Sequence, residues 1–189
     1  MTADIVCIGE VLWDSLPAGL FPGGAPFNVA FHLHGIGEQV TFITRVGDDV
    51  LGEEILRRVR GEGLTTDYIQ VDDELPTGLV IVEMDEEGQP EYEIREPAAW
   101  DAIELSPGLR ERVAEADALV FGSLAQRNSP SRETIQTLLD AGAPTVFDVN
   151  LRPPWDDRGV VRTSLEKTEI AELNEEELDR LATWFGLEG

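Results

Sequence analysis

Short apolar runs rich in β-branched residues recur along the chain, at positions 5–8, 40–43, 79–82, 118–121, 145–149 and 169–173. Between several of them the apolar positions change to a helical period. The clearest case is 49–60, where Val50, Leu51, Ile55, Leu56 and Val59 share one face; 26–34, 107–114, 130–139 and 175–185 follow the same rule. Strands that alternate with helices, some of them apolar throughout, predict an α/β chain with a mostly parallel sheet covered by helices on both faces. Punctuation sharpens the boundaries. Ser106-Pro107 and Ser129-Pro130 each read as an N-cap followed by proline at the first helical position, Asp48 reads as the N-cap of the helix after it, and Gly61 and Gly142 stand where a left-handed residue closes a helix.

Residues 71–100 depart from this alternation. The run Thr77–Met84 is followed by the acidic turn Asp85-Glu86-Glu87-Gly88 and then by the alternating stretch 90–95. That is a hairpin signature, antiparallel and half-buried. The expectation is one α/β domain over 1–189, with a small β flap built from strands at about 15–22 and 71–97.

Composition changes the picture in one respect. Hydrophobic residues at 42% and charged residues at 28% are ordinary for a globular chain, but 38 acidic against 14 basic side chains leave a net charge of −24. Such a surface repels nucleic acid and anionic membranes, so neither is expected as a partner. No run approaches the ~18 apolar residues of a membrane span, the N-terminus lacks a basic signal-peptide region, and the single cysteine, Cys7, allows no intrachain disulfide. A cytoplasmic setting is the expectation, with Cys7 a small core residue.

Candidate chemistry begins at Gly23-Gly24-Ala25-Pro26-Phe27-Asn28. Two glycines ahead of a helix N-terminus let a ligand approach the backbone, and Asn28, one turn in, offers both donor and acceptor. The same string also reads as a plain tight turn with proline at the start of a helix. Asp14 lies shortly after the first strand, where α/β folds bind ligands, or is simply a solvated loop acid. Asn174-Glu175-Glu176-Glu177 makes a capping box. His32 and His34, two apart on a predicted helix, point apart and make a poor metal pair.

Taken in order, "GEVLWD" (9–14), "GGAPFNVAFHLHGIG" (23–37), "RVGDDVLG" (45–52), "YEIREPAAWDAI" (92–103), "FDVNLRPPW" (147–155) and "LNEEEL" (173–178) resemble the PfkB (ribokinase) family of carbohydrate kinases, and its fructokinases most. The resemblance implies a ribokinase-like fold with a small antiparallel β lid. It implies that Asp14, Gly23, Gly24 and Asn28 hold sugar hydroxyls and that Arg95 helps to close the lid. Asn150 and Arg152 would lie near the phosphates, and Asn174 with Glu177 would organise Mg²⁺ through water. The implied reaction is ATP-dependent phosphorylation of a sugar, with fructose the first candidate.

The family's Gly-Ala-Gly-Asp segment, which supplies its catalytic base and anion hole, is not found; only 189 − 177 = 12 residues follow Glu177. The expectation is therefore a chain truncated at its C-terminal side, with an incomplete ATP site and no catalytic residue of its own. The alternative is a catalytically inactive sugar-binding or interaction protein. An open sheet edge would favour a homo-oligomer formed through the lid or that edge.

Overall fold

In the first strand, β1 (Asp4–Ile8), successive side chains enter two different cores, as the two-residue period of a strand requires. Val6 and Ile8 join one core, and Cys7 joins the other. All three are fully buried, and burial pushes the Cys7 thiol up to about 12, which fits its reading as an inert core residue. The computed structural model describes residues 2–84 and 90–186; the acidic turn expected at 85–88 lies outside the described residues.

Around β1 lies a parallel sheet. β4 (Gln39–Gly47) and β5 (Ile69–Asp72) extend it on one side, and β8 (Ala118–Gly122), β9 (Thr145–Asp148) and β10 (Ile170–Glu172) on the other, in the order β10-β9-β8-β1-β4-β5. One face carries α1 (Ala25–Gly35) and α2 (Val50–Gly61), whose Phe27, Ala30, Ile55 and Val59 pack on Cys7 and Phe42. The other carries α3 (Leu109–Ala114), α4 (Ser129–Leu139), α5 (Arg158–Glu166) and α6 (Glu175–Phe185). Their Val113, Ile135, Val161 and Leu181 close over Ile8, Phe121 and Phe147, the two phenylalanines stacking with centroids 4.9 Å apart. No helix of the described residues is long and apolar enough to cross a membrane.

A second sheet of four strands has the order β3-β2-β6-β7, from β2 (Leu12–Leu16), β3 (Gly19–Gly23), β6 (Gly78–Met84) and β7 (Pro90–Ile94). Its outer pairs are antiparallel and its central pair, β2 with β6, is parallel. The reason is topological: β2 and β6 continue from β1 and β5, two parallel strands of the main sheet, and so leave that sheet in the same direction.

Four boundary readings are corrected. α2 is capped by Asp49, not Asp48: its side chain accepts from Gly52 N (2.8 Å), while the Asp48 N–H goes to the Asp72 carbonyl and continues the strand pairing. Leu109, not Pro107, begins α3, because Ser106-Pro107-Gly108-Leu109 forms a turn closed by Leu109 N–H to Ser106 O (3.2 Å), with Gly108 at φ 85°. α4 starts one residue early, with Asn128 at the N-cap position. After α2 the left-handed residue is Gly63 (φ 87°) rather than Gly61. Val50, expected on the buried face of α2, is 79% exposed.

Candidate functional site

The carboxyl ends of β1 and β9 open into a cleft of about 720 Å³, roofed on one side by Val80, Tyr92 and Ile94 of the small sheet. Ligands collect at such strand ends in α/β folds because loops and helix N-termini converge there. The cleft brings together Asp14, Gly24, Asn28, Asn150 and Arg152, five of the nine residues singled out in the sequence. Asp14 lies within β2, opposite Phe21, and not in a loop after β1; the carboxylate that directly follows β1 is Glu10.

Gly23 and Gly24 act by their lack of side chains. The Asp14 carboxylate occupies the space that a Cβ on Gly23 would fill. Gly24 caps α1 at φ 110°, and a Cβ there would lie 2.5 Å from the Glu10 carbonyl oxygen. Asp14 is half-buried, and that burial raises its acid. Asn28 is exposed on the first turn of α1. Among the described residues neither side chain has a hydrogen-bond partner, so both face the cleft with unspent polar atoms.

The loop after β9 supplies the other polar groups. Asn150 takes a positive φ of 37°, and its carbonyl accepts from Ser123 Oγ (3.3 Å). Arg152 donates to the Leu151 carbonyl (3.0 Å) and is otherwise exposed. Asn174 and Glu177 do not line the cleft. They form the capping box of α6, Asn174 Oδ1 accepting from Glu177 N (2.9 Å) and Glu177 Oε2 from Asn174 N (3.1 Å), and Glu177 Oε1 accepts from Leu151 N (2.7 Å). Arg95 lies outside the lining as well: its side chain is 54% exposed and pairs with Glu93 at 3.0 Å. Its position at the end of β7 turns it toward a strand neighbour rather than the cleft.

Three features escaped the sequence reading. Glu10 lines the cleft at 2% exposure, and burial pushes its carboxyl up to about 7 against the pull of Arg152 and Arg127. Asp148 is pushed up by burial, by its contact with Glu172 on the neighbouring strand, and by the charges of Glu10 and Glu177. Arg127, 1% exposed, is paired with Asp101 through two 2.7 Å hydrogen bonds and lies between the rings of Trp100 (4.0 Å) and Trp155 (5.0 Å). It also donates to the Arg95 carbonyl (3.1 Å), so one guanidinium ties the end of β7 to the Trp155 wall of the cleft. The Gly9-Glu10 step was a signal for the first of these; the pairs across strands and loops had none.

Comparison with known proteins gives a consistent answer. Residues 18–184 match the profile described as pfkB family carbohydrate kinase. A fructokinase of Salmonella typhimurium is 28% identical over 192 residues, covering 94% of this chain and 62% of the relative. A putative sugar kinase of Pyrococcus horikoshii is 31% identical over 194 residues, 92% of this chain and 62% of the relative. The structure of that sugar kinase in complex with ATP superposes with a TM-score of 0.85 at 29% identity, covering 97% of this chain and 67% of the other. A fructokinase from Xylella fastidiosa with bound ATP gives 0.82 at 27%, covering 98% and 62%. The chain thus spans about 62% of the length of the curated relatives it matches.

Proposed function

The chain belongs to the pfkB family of carbohydrate kinases, and we propose that its cleft holds the sugar acceptor of an ATP-dependent phosphorylation, with fructose the first candidate. The observation that carries this reading is the convergence of unspent polar groups: Asp14 from β2, Asn28 from α1, and Asn150 with Arg152 from the loop after β9, all on one cleft. The fructokinases among the relatives support the choice of sugar.

Phosphoryl transfer depends on positioning the attacking hydroxyl and neutralising phosphate charge more than on covalent chemistry. In this reading the Asp14 carboxylate accepts from sugar hydroxyls and the Asn28 amide donates and accepts beside it. Gly23 and Gly24 keep the space around them clear. The Arg152 guanidinium, fixed by its bond to the Leu151 carbonyl, suits phosphate oxygens, and Asn150 presents an amide next to it. A Gly-Ala-Gly-Asp string is not found among the 189 residues, and no residue of the cleft is assigned as the base.

A bound Mg²⁺ would supply neutralisation of phosphate charge. Direct coordination by Asn174 and Glu177 does not fit, since their oxygens accept backbone N–H groups within the capping box and at Leu151. Among the described residues no cluster of three acidic, histidine or cysteine side chains suits a metal. Any role of this pair toward the ion therefore runs through water.

Calorimetric titration of the chain with fructose, then with ATP and Mg²⁺, tests the reading. Saturable fructose binding that is weakened at least about tenfold in Asp14→Ala supports it; absence of sugar binding overturns it. We also propose self-association through the small sheet, whose edge strand β3 exposes Leu20 and Phe21 at 45% each; a monomer in sedimentation at micromolar concentration contradicts this.

A further inference from the structure

We propose that Glu10 is a specificity-determining residue of the cleft, its Oε2 hydrogen-bonding one sugar hydroxyl beside those assigned to Asp14 and Asn28. This rests on the sugar-cleft reading above.

The geometry begins with the backbone. Gly9, at φ 151°, turns the chain out of β1 and packs on Pro26, whose Cγ would lie 2.5 Å from a Cβ at Gly9. Gly24 presses against the Glu10 carbonyl in the same way. The start of α1 therefore holds Glu10 from both sides. Ala25, the first residue of that helix, donates its N–H to Glu10 Oε1 at 3.2 Å, which holds that oxygen at the helix start.

Among the described residues the second oxygen has no partner. Glu10 Oε2 is buried and unbonded, on a side chain that is 2% exposed and lines the cleft with Asp14, Asn28, Leu124 and Arg152. Oε1 takes the Ala25 N–H, and Oε2 takes no other donor of the first turn of α1. A second buried oxygen left unpaired is a cost without structural return, and buried polar groups of this kind are satisfied in folded proteins. The facing groups are Asp14 from β2, Asp148 at the end of β9, Arg127 after β8 and Arg152 after β9. Arg127 binds Asp101 through Nε and Nη2, and Arg152 binds the Leu151 carbonyl through Nη1, but neither guanidinium, the unpartnered Arg127 Nη1 included, hydrogen-bonds Glu10 Oε2. A group that both donates and accepts can pair with this oxygen whether the acid is ionised or protonated, and a sugar hydroxyl is such a group. Because burial places the Glu10 acid near neutrality, the oxygen can serve in either protonation state.

The test is a binding matrix: wild type, Glu10→Gln and Glu10→Ala, each titrated calorimetrically with fructose and its monodeoxy analogues. In wild type, one deoxy position should cost at least about tenfold in affinity through Glu10. Glu10→Ala should lose a similar factor toward fructose and no longer discriminate against that deoxy sugar, while the ratios at other positions stay as in wild type. Glu10→Gln keeps an acceptor for Ala25 N, so it preserves the helix start if Glu10→Ala folds poorly, and it should change discrimination at the same position. Wild-type discrimination at every position in both variants, or an even loss across all positions, overturns the role while leaving sugar binding intact. Failure of wild type to bind any sugar overturns the cleft reading, and this role with it.

Discussion

Glu177 on α6 accepts the backbone N–H of Leu151, on the cleft wall, at 2.7 Å. Its other oxygen accepts from Asn174 N at the start of the same helix. One carboxylate thus completes a capping box and anchors the loop that carries Asn150 and Arg152. Glu177→Ala removes half of the box and leaves a buried N–H without a partner. The cap is worth about 1 kcal/mol and the orphaned donor about 1–3 kcal/mol. Urea denaturation should show a loss of about 2–4 kcal/mol, with Glu177→Gln losing less. A Glu177→Ala chain as stable as wild type would contradict the anchor.

Gly23 and Asp14 allow a test that separates binding from stability. The backbone of Gly23 is not in a left-handed conformation, so alanine costs little there through conformation. Its methyl group would instead displace the Asp14 carboxylate. Gly23→Ala should weaken fructose binding about tenfold, or about 1.4 kcal/mol, with thermal stability nearly unchanged. Asp14→Ala should bind no better than Gly23→Ala, and the double variant should be no worse than Asp14→Ala alone, because both changes remove one interaction. Additive losses in titration calorimetry would show that Gly23 acts elsewhere.

The strand-helix alternation was legible because the central strands β1 and β8 bury apolar side chains on both faces and α2, α4 and α6 each carry a one-sided stripe. β5 and α5 were not read. β5 alternates apolar with polar residues (Ile69-Gln70-Val71-Asp72) just before the stretch read as the hairpin, and α5 opens on Asp157-Arg158-Gly159 with only Val160, Val161 and Leu165 as large apolar residues, so neither stood out from its surroundings. Adjacent candidates defeated the cap assignments: in Asp48-Asp49 only the competing strand bond of Asp48 decides which one caps. In the site, Asp14, Gly24, Asn28, Asn150 and Arg152 were found because they sit in local strings. Arg127 and Asp101 were missed because their meaning arises from a contact across 26 positions, which no local pattern encodes.

That contact makes its own prediction. The Arg127 and Asp101 side chains are 1% and 5% exposed, and Asp101 also accepts from Ala98 N (2.9 Å). Removing one member of a buried pair leaves an uncompensated charge and costs about 3–5 kcal/mol. Arg127→Ala should therefore destabilise the chain by that order in chemical denaturation. Arg127→Ala combined with Asp101→Ala should cost less than the sum of the two single changes. Strict additivity would mean that the two side chains act independently.

Glu10 makes stability depend on pH in a direction that can be derived. Its acid stands at about 7 in the folded chain against an ordinary 4.5, so between these values the folded state holds a proton that the unfolded state has lost. Its contribution is full below about pH 4.5 and is lost as the pH rises through about 7. Asp148, also raised, acts in the same sense. Asp49, Asp72 and Glu169 act oppositely. Burial raises the first two, but hydrogen bonds from Thr77 and Gly52 to Asp49, and from Leu75, Glu74 and Arg45 to Asp72, outweigh it; those from Thr145 lower Glu169. Their contribution fades as the pH falls below the usual carboxylate range. The melting temperature should peak at about pH 5–6 and fall toward pH 8. Glu10→Gln keeps the acceptor for Ala25 N and removes the ionisation, so it should melt close to wild type at pH 5 and above it at pH 8. The shift of 7 − 4.5 = 2.5 units limits the gain to roughly 3 kcal/mol. The net charge of −24 repels itself more strongly at high pH in both proteins, so the difference between them isolates Glu10. A Glu10→Gln chain that melts below wild type at pH 8 would show that the ionised carboxylate is stabilised by Arg127 and Arg152 more than burial opposes it.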